Sequence, residues 1–353
     1  MARQDKVKWD QVRKWVSREG LVTKWKAYGM PEAMDPLTSR FVDVAPMPRW
    51  EVPGKIMIST AITGAFFSKR TNPHQPITPA EIRASAEQCI LAGAPNIHIH
   101  VRDDDGFNVL DIERFREVIA PLRAKYPEVT FDGCLVAVNE EESDAMGPAI
   151  ATGLFDALPV NTTAICCGDS MFFKAPHVII EKARMIEAAG VKPLIAVYDD
   201  GDIDNARRFL IASGVLSQPL SWLILPALPG CSPMHSPQQM VDGLTRMVRL
   251  IQDIDPTSFI MVCAAGRASV YLATLAVLLG LHVRVGMEDT VWKWPHRDDL
   301  LQSNAEQFQT VRTIAESLGR ELMTPAEYRK SQGMPASAVP SHEALAHARG
   351  AGG

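Results

Sequence analysis

From about residue 55 onward, short β-branched apolar runs alternate with stretches whose apolar residues recur at helical spacing. Ile56–Ile62 reads as a strand closed by Thr63-Gly64. Thr78-Pro79-Ala80-Glu81 has the form of a capping box with proline at the first helical position, and it opens a helix to about Leu91. A strand follows over Asn96-Ile97-His98-Ile99-His100-Val101. Further strands are predicted at Thr130–Val138, Phe155–Val160, Pro193–Val197, Trp222–Leu225, Ser258–Val262 and Leu281–Val285. Helices are predicted between and after them at Ile112–Lys125, Glu140–Thr152, Pro176–Ala189, Ile203–Ser213, Pro237–Gln252, Ser269–Leu279 and Asp298–Leu318. Alternating strands and helices imply a parallel sheet, and eight such units match a closed (β/α)8 TIM barrel. A doubly wound open sheet is the alternative, but no Gly-x-Gly-x-x-Gly follows the first strand.

The ends of the chain break this rhythm. Residues 1–54 read as an N-terminal extension, with the barrel over 55–333 and a Pro-, Ala- and Gly-rich, loosely held tail over 334–353. The extension holds four of the seven tryptophans, Trp9, Trp15, Trp25 and Trp50, and many basic residues. Trp9, Val12 and Val16 lie at helical spacing, with Gly20 as the stop. A basic amphipathic helix can lie on a membrane or a nucleic acid, but packing on its own domain or on a sister subunit is the commoner fate and the one expected here. Pro31 to Pro53 carries five prolines and reads as an extended wrapping segment.

Composition changes this picture little. Of the 353 residues, 46% are apolar and 22% charged, as in a soluble globular protein large enough for a substantial core. A formal charge of −5 gives no drive toward nucleic acid or membrane surfaces. None of the six cysteines has Cys-x-x-Cys spacing, which argues against a thiolate zinc site and fits reduced thiols in the cytoplasm. The N-terminus lacks the apolar core of a signal peptide, and Leu272–Leu281 is too short to span a bilayer.

The chemistry begins at the second strand. Alternate residues of a strand share a face, so His98 and His100 lie on one wall and Ile97, Ile99 and Val101 on the other. Two imidazoles there are either satisfied core histidines or part of a metal site, for which zinc with a third, carboxylate ligand is a common solution. In a closed barrel the eighth strand lies beside the first and the first beside the second. His282-Val283-Arg284-Val285 leads into Gly286-Met287-Glu288-Asp289, which places Glu288 near both histidines at the C-terminal mouth, where the active sites of this fold sit. Three protein ligands leave a position open for water or substrate. Arg284 points to the same mouth, where Asp289 or a substrate carboxylate can meet its guanidinium. Two weaker signals accompany these. The stretch Cys263-Ala264-Ala265-Gly266-Arg267 offers helix-start amides to an anion, although close packing explains Gly266 equally well. Asn161-Thr162-Thr163 offers short polar groups after the fourth strand, with turn chemistry as the alternative.

These residues resemble the β-keto acid cleavage enzymes, the family that includes 3-keto-5-aminohexanoate cleavage enzyme. The resemblance runs from about Lys55 to Met334. It rests on Thr60-Ala61-Ile62-Thr63-Gly64-Ala65, Asn72-Pro73 through Ile82, His98-Ile99-His100-Val101-Arg102-Asp103, Val283 through Asp289, Ser303-Asn304-Ala305-Glu306 and Thr324-Pro325-Ala326-Glu327. It implies a (β/α)8 barrel assembled as a homotetramer. It implies a divalent metal, typically Zn2+, on His98, His100 and Glu288, with Arg284 and Asp289 as a working pair and Thr162 at the substrate. Family members exchange a β-keto acid with acetyl-CoA to give acetoacetate and a new CoA thioester.

Two places depart from the family pattern. Phe66 stands where the family has a glutamate, and Val136–Glu142 replaces a Ser-Thr-Gly-Gly-like loop. These departures keep open a metal-dependent carbon–carbon lyase or hydrolase that does not use CoA.

Overall fold

The computed structural model describes residues 5–22, 35–136 and 140–336. They divide into two compact units, with the boundary between Val52 and Pro53.

In the first unit a helix spans Trp9–Glu19 with no buried residue. Trp15 meets Phe41 edge-on at 6.0 Å, and Val7 bridges Val42. Outside that bridge, residues 35–52 carry no regular element. Part of the expected wrapping segment, residues 31–34, lies outside the described residues, as do 337–353 of the expected tail.

The second unit is built on a closed barrel of eight parallel strands. They are β1 Ile58–Ala61, β2 Asn96–Ile99, β3 Thr130–Gly133, β4 Ala157–Asn161, β5 Lys192–Val197, β6 Ser221–Ile224, β7 Phe259–Cys263 and β8 His282–Val285. The barrel closes where β8 pairs with β1, Arg284 opposite Ser59, and β1 pairs with β2, Ala61 opposite His98. The helices are α1 Pro79–Leu91, α2 Ile112–Lys125, α3 Glu140–Ile150, α4 Pro176–Ala188, α5 Asp200–Ala206, α6 Pro237–Ile254, α7 Ser269–Leu278 and α8 Asn304–Ser317.

Local chemistry explains where the helices start, and where two predicted boundaries move. Thr78 and Glu81 form the expected reciprocal capping box ahead of α1. The last barrel helix starts at Asn304 rather than Asp298, because the Ser303 hydroxyl accepts from the Glu306 amide and closes the first turn there. The fifth starts earlier than Ile203, since the Asp199 carboxylate caps Asp202, and it runs on through a π-helical turn at Arg207–Ile211. β3 ends at Gly133; residues 137–139 of the longer expected strand lie outside the described residues.

Two hairpins stand at the C-terminal ends of the strands: Val101–Arg102 with Asn108–Val109, and Ala164–Cys167 with Ser170–Phe173. At the other end Lys55–Ile56 pairs with Glu321–Leu322, and a helix over Pro325–Ser331 brings the buried Tyr328 under the strands.

Two apolar clusters follow from strand alternation. The larger packs outward-facing residues such as Ile58, Ile97, Phe131 and Val283 against the helices. The smaller gathers inward-facing residues of the β5–β7 side, among them Ala196, Leu223, Met261 and Cys263. The opposite interior wall is polar and fully bonded. Ser59 donates to Asn96 Oδ1, and Asn96 Nδ2 donates to Thr130 Oγ1 at 2.9 Å. One turn above that belt lies the candidate site.

Candidate active site

Strand geometry places the histidines. His98 ends opposite Ala61 on one side and Asp132 on the other, with its ring inside the barrel. Its Nδ1 faces Asp132 Oδ1 at 2.8 Å, and His100 Nδ1 faces Asn108 Oδ1 at 2.6 Å. Each of these oxygens accepts an N–H from Nδ1, so that Nε2 is the atom each ring turns toward Glu288. Both Nε2 atoms lie 3.4 Å from Glu288 Oε1.

Glu288 arrives from β8 through a sharp turn at Gly286. That residue has φ +133°, and a Cβ there would lie 2.0 Å from the Ala61 carbonyl oxygen. A side chain on Gly64 would likewise collide with the Glu288 side chain, at 2.3 Å from Cγ. The turn is pinned by Gln307 Oε1 on the Gly286 amide and Asn304 Oδ1 on the Met287 amide. Asn304 in turn donates to the Ile62 carbonyl, and Arg102 Nη2 donates to the carbonyls of Thr63 and Phe67. Several resemblance residues therefore act as scaffold for the β1 and β8 ends.

The electrostatics is that of a closely held charged cluster. Burial alone would lower the His98 pKa, but Glu288 and Asp132 outweigh it and raise it to about 9. His100 is raised for the same reason, chiefly by Glu288. Burial raises the Glu288 carboxyl, and the two imidazoles and Arg284 overcome this and hold it well below its usual range. Arg284 grips Asp289 bidentately, Nε to Oδ2 at 2.9 Å and Nη2 to Oδ1 at 2.5 Å, and reaches Glu288 Oε1 at 3.2 Å. Burial raises the Asp289 carboxyl despite Arg284, with Glu288 adding repulsion.

His98, His100 and Glu288 could hold a metal ion, since one donor atom from each lies within 4.8 Å of the others. Two features fit such an ion. Both Nε2 atoms converge on Glu288, and Glu288 Oε2 is buried without a hydrogen-bond partner among the described residues.

Thr162 does not join this cluster. Its hydroxyl donates to the Asp202 carbonyl at 2.8 Å, away from the interior. Its neighbour Asn161 faces inward instead, donating to Tyr198 Oη at 3.2 Å and leaving Oδ1 without a partner. Three amides of the stretch ahead of α7 are not free for an anion. Those of Ala264, Ala265 and Gly266 go to the carbonyls of Arg284, Cys263 and Asp289. Gly266 is required by packing, because a Cβ there would lie 2.2 Å from the Ala227 carbonyl oxygen.

Phe66 is half exposed, and Phe67 packs edge-on against Trp292 at 6.4 Å. Among the described residues no carboxylate from the β1 loop joins the cluster. Residues 137–139, within the other departing segment, lie outside the described residues.

Sequence reasoning missed Asp132, Asn108, Tyr198 and Cys134, and it named Asn161 only as part of a polar turn. Asp132 and Cys134 had a signal in strand periodicity, since they share a face beside the histidine strand. Asn108 and Tyr198 depend on a hairpin and on strand stagger that no periodicity reveals.

Residues 55–334 match the family described as beta-keto acid cleavage enzyme. The chain belongs to that family. As a β-keto acid cleavage enzyme it is a catalyst of carbon–carbon cleavage and acyl transfer. It is 34% identical over 279 residues to 3-keto-5-aminohexanoate cleavage enzyme of Fusobacterium nucleatum, covering 78% of this chain and 97% of that protein. It is 26% identical to 3-oxoadipate:acetyl-CoA acetyltransferase of Cupriavidus necator, covering 80% and 96% of the two chains. The solved apo structure of ObcA superposes with a TM-score of 0.64 at 17% identity over 74% of this chain and 66% of that one, and shows the shared barrel fold.

Proposed function

We propose that this β-keto acid cleavage enzyme uses acetyl-CoA as co-substrate, with catalysis centred on Arg284 and Asp289 beside a zinc site made by His98, His100 and Glu288. The observation that carries this reading is the convergence of two Nε2 atoms and one underbonded carboxylate beside a buried Arg–Asp pair. A divalent cation bound there supplies Lewis-acid polarisation of the substrate's keto oxygen.

Asp289 acts as the base that takes the proton from C2 of the keto acid. Its raised pKa strengthens it for that task, and Arg284 fixes its orientation through both oxygens. The electron pair left at C2 attacks the thioester carbonyl of acetyl-CoA, and the CoA thiolate departs. That thiolate then adds to the C3 carbonyl, and the C2–C3 bond breaks. Its electrons return to C2, which Asp289 reprotonates to give acetoacetate; the remainder leaves as the new CoA thioester. Arg284 is committed to Asp289, so it orients the base more than it binds substrate.

Thr162 serves this site by position. Its hydroxyl and carbonyl bonds, to the Asp202 carbonyl and from Asn205 Nδ2, hold the β4 end from which Asn161 turns inward to Tyr198. We place the catalytic unit at 55–333. We further propose a homotetramer, on the family resemblance. A cytoplasmic location is supported by six free cysteines, while among the described residues no helix is long and apolar enough to cross a membrane.

The test is an assay of the full chain with acetyl-CoA and a panel of β-keto acids, following acetoacetate and the new thioester, with elemental analysis of bound metal. Wild type carries zinc and turns over at least one acid, and His98→Ala loses both zinc and turnover. A zinc-loaded protein that turns over none of the acids defeats the reading; cleavage without any CoA replaces it by the CoA-free lyase.

A further inference from the structure

The stretch from Asn72 to Ile82 supplies the capping box of α1, yet its first residues serve no helix. They fold back onto the ends of β1 and β8. Asn72 Nδ2 donates to the Leu301 carbonyl at 2.8 Å, and the Gln75 amide donates to the Asn72 carbonyl at 3.0 Å. The Thr63 hydroxyl donates to the Pro76 carbonyl at 2.5 Å. This turn carries the Gln75 side chain inside, at 1% exposure.

Gln75 Nε2 donates to two carbonyls from distant parts of the chain, Thr63 just past β1 at 2.7 Å and Met287 just past β8 at 3.2 Å. Both partners are acceptors, so the NH2 group must face them and Oε1 must face away. Oε1 is buried with no hydrogen-bond partner among the described residues. An unpaired buried oxygen costs stability, and an apolar side chain of the same length would spare the protein that cost.

The two carbonyls belong to the residues that precede Gly64 and Glu288. A Cβ on Gly64 would lie 2.3 Å from Glu288 Cγ, so the Glu288 side chain runs directly over Gly64. Asn304 Oδ1 takes the Met287 amide at 2.7 Å and Gln75 takes the Met287 carbonyl, so side chains hold both polar groups of the residue ahead of Glu288. The Thr63 carbonyl has a second donor in Arg102 Nη2 at 3.0 Å; among the described residues none reaches the Met287 carbonyl. Freed of Gln75, the Met287–Glu288 peptide can turn and carry the carboxylate with it. The Glu288 amide restrains it little, since its bond to the Ala61 carbonyl is 3.3 Å long.

We propose that Gln75 is a positioning residue for Glu288, a clasp between the β1 and β8 ends that keeps the carboxylate at the two imidazoles. The proposal rests on the metal reading of His98, His100 and Glu288. Gln75 touches neither ion nor substrate in this role and acts through Glu288 alone.

The test is competition for zinc between the full chain and a chelator. Gln75→Met keeps the length of the side chain and removes both the donor and the unpaired oxygen. Zinc affinity falls by about tenfold or more, the range carried by residues that orient a metal ligand. The unfolding midpoint of the zinc-free chain stays close to that of wild type, because losing the donor and losing the unpaired oxygen act in opposite directions. In a Glu288→Gln background, Gln75→Met costs no further affinity, since the group it positions is gone. If Gln75→Met does not fold, Gln75→Asn, which keeps an amide one methylene too short to span both carbonyls, carries the test.

Zinc affinity that holds in the Gln75 variants overturns the proposal. So does an equal loss with and without Glu288→Gln, which would assign Gln75 to the fold at large. A wild-type chain that takes up no divalent ion refutes the metal reading, and the proposal falls with it; a zinc-binding wild type matched by its Gln75 variants refutes the clasp alone.

Discussion

The two ends of the barrel both bury charge, and they treat it in opposite ways. At the N-terminal floor Arg320 donates to five backbone carbonyls, those of Pro53, Lys55, Val277, Gly280 and Leu281, at 2.7 to 3.2 Å. Asp156 is held there between Arg123 and Arg329 at 2.8 and 2.9 Å. These charges are hydrogen-bonded by the fold itself: Arg320 by backbone carbonyls, and Asp156 by two arginines. At the C-terminal mouth His98, His100, Glu288, Arg284 and Asp289 form one buried cluster, and polar atoms there stay without a partner among the described residues: Glu288 Oε2 and Asn161 Oδ1. A buried polar group left underbonded lowers stability. Its concentration at one mouth marks where a ligand completes the bonding. The floor has exceptions of its own, the Tyr328 hydroxyl and Arg123 Nε, but Arg123 is already paired with Asp156 through Nη2.

The contrast can be broken from either side. Asp289→Asn keeps the shape of the mouth and removes its base, so kcat falls by about 10²–10⁴-fold while zinc content and the unfolding midpoint hold. A drop in KM alone would count against Asp289 as base. Arg320→Met leaves several floor carbonyls without a donor, and urea denaturation should show a loss of about 3 kcal/mol with zinc affinity unaltered. If zinc affinity fell in step, the two ends would not be independent.

Asp132→Asn removes the carboxylate behind His98, and competition with a chelator should show metal affinity reduced by about 10–100-fold. Unchanged affinity would reduce Asp132 to packing. The mildest test is one of pH. Burial raises Asp202 from 3.8 to about 6 in the fold. The folded state therefore binds more protons than the unfolded state in that interval, and stability from this group declines as pH rises from about 4 to about 6. Asp202→Asn should flatten that part of the stability profile; an unaltered slope would show that the carboxyl is not buried as described.

Much of this was legible in order along the chain. Capping residues, β-branched runs and the count of strand–helix units were sufficient for the barrel, because each depends on neighbours within a few residues. His98 and His100 followed from strand alternation, and Glu288, Arg284 and Asp289 from the closure of an eight-stranded ring. Where Thr162 points was not legible, because alternation past a strand end depends on which residue last faces inward; its hydroxyl goes to the Asp202 carbonyl and Asn161 faces the interior. The amides around Gly266 looked available because no sequence pattern reports that the carbonyls of Cys263, Arg284 and Asp289 take them.

By itself, then, the sequence determined which elements form and which side chains could carry chemistry, since propensity, capping and face periodicity are local properties. Only the tertiary structure decided which valences remain open. Asp132 and Asn108 lock the histidines, and Arg284 is committed to Asp289, through contacts between segments that share no periodicity. Whether a polar atom is satisfied depends on everything within hydrogen-bonding distance, and in a closed barrel most of those neighbours are far away along the chain.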